Sequence, residues 1–364
     1  MRKAFKKFKD WYEEHERLAR AGAFMLGFIF DNLTLTRVDL VFGNVMLTSY
    51  LLLAAGGIIV LYAHAGGKIR RQFNEHFGAW IELIISFSFG SLFSGYVVFY
   101  AKSASFIDSW PFLLMLTVLF VGNELFRKYY QFLVFQLSIF FVTLFSYLIF
   151  SIPVLLKEIG ATVFLLSGVL SLLFFIGLVA ILWKVEPERI RKAYRNLFVS
   201  IGAIYLLFNL AYFTNIIPPI PLSLREIGVY HRVLAGQNGY TLTFEPAPWY
   251  LRFFGRTNEV FHFKAGEPVY VFSAVFAPTK LTTTVYHEWS YFDPTTEAWV
   301  KKARVSFPIV GGRDGGYRGY SLKESLVPGK WRVEVQTERG QLIGRITFTA
   351  VAATTAPVIK TISQ

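Results

Sequence analysis

Apolar and polar positions follow two different rhythms along this chain. Before Pro218 the apolar residues come in unbroken runs, such as "NVMLTSYLLLAAGGIIVLYAH" (Asn44–His64), "FLVFQLSIFFVTLFSYLIF" and "ATVFLLSGVLSLLFFIGLVAILW". An uncharged apolar run of about 18 residues or more is long enough to cross a bilayer as a helix. The runs predict spans at Asn44–His64, Trp80–Ala101, Trp110–Phe126, Gln131–Leu155, Gly160–Trp183 and Leu197–Ile217, with Arg20–Thr36 as a candidate seventh.

Beyond Val229 the period becomes two. "VYVFSAVFA" (Val269–Ala277), "TTTVYHEWSYF" (Thr282–Phe292), "AWVKKARVSF" (Ala298–Phe307), "KWRVEVQT" (Lys330–Thr337) and "QLIGRITFTAV" (Gln341–Val351) are rich in β-branched and aromatic residues, and "VYHRVL" and "YTLTFEP" precede them. "VPGK" and "TERGQ" supply turn chemistry between them. Some seven short strands at this spacing predict an all-β antiparallel sandwich of immunoglobulin-like type, with a barrel as the alternative. The expected fold class is therefore a membrane α-helical bundle of about seven transmembrane helices followed by that sandwich.

Between the two rhythms lies "NIIPPIPLS" (Asn215–Ser223), whose prolines cannot continue a helix and predict a stiff, extended stalk. The expected organisation is a basic N-terminal segment (1–19), a helical bundle (20–217), a proline-rich linker (218–223) and a β domain (224–364). The N-terminal segment sets Phe5, Phe8, Trp11 and Tyr12 among lysines, the pattern of an amphipathic helix on an anionic leaflet or of an ordinary basic flank. A long charged segment precedes the first apolar run, which is not a signal-peptide pattern.

Charge decides between six and seven spans. With seven, the short segments on one side carry 17 Lys/Arg against 3 on the other; with six the count is 10 against 10. Positive charge collects in cytoplasmic loops, so seven spans are expected, N-terminus inside and β domain outside. The net charge of +13 is concentrated in those flanks, which argues against nucleic acid as a partner and for the lipid bilayer. Trp80, Trp110, Trp183, Tyr100, Tyr129 and Tyr130 fall at span ends, where aromatic anchors settle. The chain has no cysteine, so disulfides and thiolate metal sites are excluded and an oxidising compartment is compatible.

Acids inside apolar runs are functional candidates by default. In "GFIFDNLTLTRVD" Asp31 falls near the outer end of the first span, Arg37 and Asp39 in the loop beyond it. An interface turn, with Asp39 capping the next helix and Asp31 pairing with Arg37 if the chain folds back, is the structural reading; a transport site is the rival and a re-entrant hairpin the competing geometry. Glu82 is expected in the first turn of the span from Trp80, facing the positive end of the helix dipole. Asn123 and Glu124 precede Arg127 and Lys128 at helical ion-pair spacing.

In the β region, "GGRDGGYRGY" (Gly311–Tyr320) offers close backbone approach together with Arg313, Tyr317, Arg318 and Tyr320 for cation and stacking contacts. Its ligand would be an anionic glycan or lipid headgroup; its structural alternative is a glycine-rich hairpin whose tyrosines fill the sandwich edge. His287 and Trp289 share a strand face, Trp289 and Trp331 reading as core and His287 as a candidate ligand or acid–base group. The histidines (His15, His64, His76, His231, His262, His287) are scattered, with no metal-binding spacing, and neither a nucleophile elbow, a P-loop nor a dinucleotide fingerprint is present. No cofactor, metal or catalytic residue is expected.

The stretch from His287 to Ala350 carries the H-x-W of His287 and Trp289, the Arg- and Tyr-bearing glycine segment, Ser321, and "PGKWRV" followed by a strand pair. On these features it resembles the bacterial domain of unknown function 2914, with "GFIFDNLTLTRVD" and "GNELFRK" similar to the membrane half that often accompanies it. The resemblance implies a bacterial inner-membrane protein with an exported, periplasmic domain, and implies no activity. The expected function is a non-enzymatic cell-envelope protein whose β domain binds a glycan, a lipid headgroup or a periplasmic protein. The rival is a transporter or membrane-embedded enzyme using the acids at the outer mouth of the bundle.

Overall fold

The computed structural model describes residues 28–35, 41–67, 77–103, 106–125, 132–236, 239–248, 257–264, 266–313, 315–324, 326–353 and 357–364. Within these the chain forms seven helices, then a β region: α1 (residues 28–34), α2 (Val41–Ala65), α3 (Phe77–Ser103), α4 (Phe106–Leu125), α5 (Leu133–Leu156), α6 (Ala161–Val185) and α7 (Pro187–Phe213). Five of them, α2, α3, α5, α6 and α7, are long and apolar enough to cross a membrane. In α4 the apolar stretch is only Trp110–Gly122. The N-terminal segment, most of the expected first span, Arg37 and Asp39 lie outside the described residues.

Two boundary shifts change the reading of charged residues. The last helix begins at Pro187 rather than Leu197. Proline at the first helical position loses no hydrogen bond, and Glu188 meets the positive end of the helix dipole. The basic residues Arg189 to Arg195 thus occupy the opening turns of α7 rather than a loop. Helix α3 begins at Phe77 and has no acid in its first turn, so Glu82 sits beyond it, half-buried, and the dipole argument for it fails.

The chain divides into two compact units: residues 1–99, 114–148 and 168–204, and residues 100–113, 149–167 and 205–364. In the first, hydroxyl groups stitch the helices together. The Tyr96 hydroxyl of α3 donates to the Thr143 carbonyl of α5 at 2.8 Å, Thr48 of α2 meets Tyr147 of α5 at 2.6 Å, and Ser138 of α5 meets Ser200 of α7 at 2.7 Å. Where lipid replaces water, packing and such bonds hold helices together, because burial of apolar surface no longer discriminates. The apolar windows of α3 and α5 are 67% buried, against 33% for α6, 28% for α7 and 22% for α2, so these three leave most of their apolar side chains uncovered among the described residues.

The second unit gathers the α3–α4 and α5–α6 connections, the end of α7 and the whole β region. Here the expected stalk is corrected: Ile217 through Leu222 are buried, and Leu222 joins the β core beside Ile159. The prolines stop the helix, but their apolar rings pack instead of standing in water. Arg339, in the turn between the last two long strands, stacks over Tyr212 at 4.5 Å and Phe213 at 5.1 Å, at the end of α7.

Eleven strands follow: β1 (Ser223–Tyr230), β2 (Arg232–Gly236), β3 (Gly239–Phe244), β4 (Val260–Phe263), β5 (Val269–Phe276), β6 (Thr282–Asp293), β7 (Ala298–Val310), β8 (Tyr317–Lys323), β9 (Gly329–Thr337), β10 (Leu342–Ala352) and β11 (Lys360–Ser363). They form sheets of order β1-β5-β8, β4-β10-β9-β6-β7 and β11-β3-β2, all pairs antiparallel except β10 with β4. The first two share a core that includes Val229, Val271, Trp289, Trp331, Val333 and Phe348. The third packs through Leu242 and Phe244 on Tyr230 and Phe272. Strand β5 therefore has Val269, Val271 and Val275 in the shared core and Phe272 among the residues under the third sheet. Burial on both faces accounts for its nearly continuous apolar sequence.

Candidate functional site

The glycine-rich stretch does not bring its candidate side chains to one face. Tyr317, Arg318 and Tyr320 belong to β8, paired with Val275, Ala274 and Phe272 of β5, so alternate residues take opposite faces. Tyr317 packs against the shared core, its ring 5.5 Å beneath the Arg313 guanidinium. Tyr320, on the other face, meets the rings of Tyr240 and Tyr270 at 6.2 and 6.0 Å, and the Tyr240 hydroxyl donates to the Arg318 carbonyl at 3.5 Å. The close approach these glycines permit is to the chain itself. A Cβ on Gly311 would lie 1.7 Å from the Pro278 carbonyl oxygen, and the Gly311 and Gly312 amides donate to the carbonyls of Leu281 and Ala277.

His287 is fully buried. Its Nε2 lies 2.8 Å from Ser273 Oγ on β5 and its Nδ1 2.9 Å from Ser321 Oγ on β8, and Trp289 Nε1 donates to that same Ser321 oxygen at 2.9 Å. Burial pushes the imidazole down to about 3, so it is neutral at physiological pH. This serine–histidine–serine contact is closed to solvent and links β6 of one sheet to β5 and β8 of the facing one.

In the bundle, Asp31 is buried and accepts a hydrogen bond from Ser94 of α3. A groove of about 340 Å³ on α2 is lined by Val41, Asn44, Val45, Thr48 and Ser49, without Asp31. Asn123 and Glu124 occupy the last turn of α4, their side chains outside the described residues, as are Arg127 and Lys128.

What the sequence hides is a cluster at the rim where the three sheets meet. Glu245, just after β3, is 5% exposed. It accepts hydrogen bonds from His231 Nε2 at 3.1 Å, from His262 Nδ1 at 2.8 Å and from the His262 backbone N–H at 2.7 Å. Burial raises the carboxyl, but the hydrogen bonds from His231 and His262 outweigh it and hold the group below the usual carboxylate range. The His231 ring stacks on Phe261, centroids 4.4 Å apart. Beside them opens a cleft of about 390 Å³, lined by His231, Arg232, His262, Lys264, Glu267 and Tyr270, with Pro268, Ala353 and Ile359 as apolar wall. That volume lies in the range of small-molecule sites. Residues 231, 245 and 262 are 14 and 17 apart in sequence, in the β1–β2 turn, just past β3 and on β4, and no spacing rule joins them. Among the described residues no group of three His, Asp or Glu could hold a metal ion.

No curated protein matches this chain. Among solved structures, the Pseudomonas fluorescens alkylpurine DNA glycosylase AlkC bound to DNA containing an abasic site analog aligns over 87% of this chain and 99% of that one, at 11% identity and a TM-score of 0.23, a likeness too weak to transfer fold or activity. The family described as "Protein of unknown function (DUF2914)" matches residues 282–350, the run from β6 into β10 that carries His287, Trp289, Ser321 and Trp331. The cleft's described lining lies outside that stretch, between His231 and Tyr270 and at Ala353, Pro357 and Ile359. With the H-x-W pair, Ser321 and the tryptophan core all inside the match, residues 282–350 are a DUF2914 domain.

Proposed function

We propose that this is a multi-pass bacterial inner-membrane protein whose periplasmic β domain acts as a non-catalytic binding module for an anionic ligand of the envelope. The cleft beside Glu245 carries this reading: it is of ligand size, and Arg232, Lys264 and two histidines line it. Cationic and ring N–H groups around a concavity with apolar walls suit an anionic head on a small organic body.

Strand order supports an immunoglobulin-like sandwich. One sheet runs β4-β10-β9-β6-β7 with β4 parallel to β10, and it faces β1-β5-β8 across a shared core. In immunoglobulin naming this reads as A′-G-F-C-C′ against A-B-E, with the buried Trp289 in the place of the strand-C tryptophan. The charge bias of the helix flanks supports a periplasmic location.

The test uses full-length protein in lipid nanodiscs with a photoreactive residue in place of Tyr270. Crosslinking to lipopolysaccharide or anionic phospholipid in envelope extracts is expected, with its loss in Arg232→Ala/Lys264→Ala. A crosslink indifferent to that double substitution would remove the cleft from the account.

A further inference from the structure

Among the described residues around the cleft the fixed charges cancel. Arg232 and Lys264 are positive, Glu245 and Glu267 negative, and the Glu267 carboxylate is tied to the Lys264 backbone N–H at 3.3 Å. His231 and His262 thus decide the sign of the site among the described residues: zero with neutral rings, two positive charges with both protonated.

Glu245 also fixes what each ring can offer. An ionised carboxylate only accepts, so the nitrogens facing it, His231 Nε2 and His262 Nδ1, carry hydrogens. The remaining nitrogens, His231 Nδ1 and His262 Nε2, hold a lone pair when the ring is neutral and an N–H when it is charged. Protonation therefore changes charge and hydrogen-bond polarity together, from two acceptors that repel an anion to two donors that bind it. Histidine is the side chain whose ordinary charge change falls between pH 5 and 8.

We propose that the cleft is an acid-gated site for a phosphate ester, in which protonated His231 and His262, held by Glu245, join Arg232 and Lys264 around the phosphoryl oxygens. The class follows from the donors. A guanidinium fork, an ammonium and two imidazolium N–H groups match a tetrahedral anion with several oxygens. A cleft of about 390 Å³ with Pro268, Ala353 and Ile359 in its wall leaves room for a glycerol- or sugar-sized body that a bare ion would not fill. This deepens the binding-module reading above and rests on it.

The test is calorimetric titration of the full-length protein in phosphatidylcholine nanodiscs with glycerol 3-phosphate and with inorganic phosphate, at about pH 5.5 and about pH 8. Vesicles containing phosphatidylglycerol form a third arm. Expected is binding at least about tenfold tighter at the lower pH, a difference that one charge-assisted hydrogen bond can supply. The wild type should also take up protons on binding, seen as a dependence of the heat on the buffer. His231→Gln/His262→Gln should abolish the pH effect, and His262→Gln alone, at the more exposed ring, should reduce it. Preference for glycerol 3-phosphate or for the vesicles supports a headgroup source, and equal binding of inorganic phosphate supports free phosphate.

Equal affinity at both pH values, no proton uptake, or a pH effect surviving in the double variant would overturn the gate. If binding is then still lost in Arg232→Ala/Lys264→Ala, the binding-module reading survives without it. Absence of binding by all three probes at both pH values would overturn the phosphate-ester assignment, leaving the crosslinking experiment to judge the module itself.

Discussion

His287 Nδ1 lies 2.9 Å from Ser321 Oγ, in the buried space between two sheets. The histidine stands on β6 and the serine on β8 of the facing sheet; the other ring nitrogen reaches Ser273 on β5. With Trp289 donating to Ser321, the serine hydroxyl is free to donate to His287 Nδ1, leaving the Nε2 hydrogen for Ser273. The layers are thus fastened by a polar clasp, and with no cysteine in the chain no disulfide can do this work.

Ser321→Ala removes the partner of both His287 Nδ1 and Trp289 Nε1. An unsatisfied buried polar group costs about 1–3 kcal/mol, so with two such groups the β region should lose about 2–6 kcal/mol. Near-ultraviolet circular dichroism is a suitable probe, because the Trp289 and Trp331 rings meet edge-on at 6.4 Å. An unchanged melt would mean that the clasp carries no stability.

Acid should weaken the same region. The folded-state value of His287, about 3, lies below its ordinary 6.5. As pH falls through that window the unfolded chain takes up the proton first, and stability declines by about 1.4 kcal/mol per pH unit. Above the window this group contributes no pH dependence. His287→Gln should flatten that slope. Denaturant melts of both proteins at several pH values between those limits check it.

Gly311→Ala should destabilise although it touches no candidate ligand. The added Cβ would meet the Pro278 carbonyl, which is backbone and cannot turn aside. Forced overpacking costs about 1–3 kcal/mol. A wild-type melting temperature would show that this approach is looser than described.

In the bundle, Ser94→Ala leaves buried Asp31 without that hydroxyl. Interhelical hydrogen bonds in membranes average about 0.6 kcal/mol and reach about 1.7, so a fall in thermal stability in detergent of that size is expected. Asp31→Asn, which keeps an acceptor, should lose less.

The absence of cysteine makes topology directly measurable. Single cysteines at exposed Glu158 and Lys302 should react with a membrane-impermeant thiol reagent from one side, and one at exposed Arg191 only from the other. Labelling of Arg191→Cys and Lys302→Cys from the same side would refute the orientation read from charge.

Much of the architecture is legible before folding. Uncharged runs of 20 or so residues have one stable destination, because every backbone group must be paired where water is absent. Period-two patterning marked β5, β6, β9 and β10 to within a residue and β7 to within three, since each alternates or is buried as a strand must be. The pattern failed where chemistry was ambiguous. Strand β8 reads as loop because glycines surround it, and only pairing with β5 makes it a strand. Helix α7 reads ten residues short because its opening turns are charged, though charge at a helix end costs little. The prolines after α7 read as a stalk because sequence shows what they break and not what buries them.

By itself, then, the amino-acid order determined two regimes of burial, their boundary near Pro218 and the lack of any covalent clasp between strands. Those are properties of neighbours along the chain, where periodicity and composition act. Tertiary structure alone decided that Ser273, His287 and Ser321 share a clasp and that His231 and His262 share the carboxylate of Glu245. Such contacts join residues from 14 to 34 positions apart on separate segments, and they exist only once loop closure has been offset by a packed core.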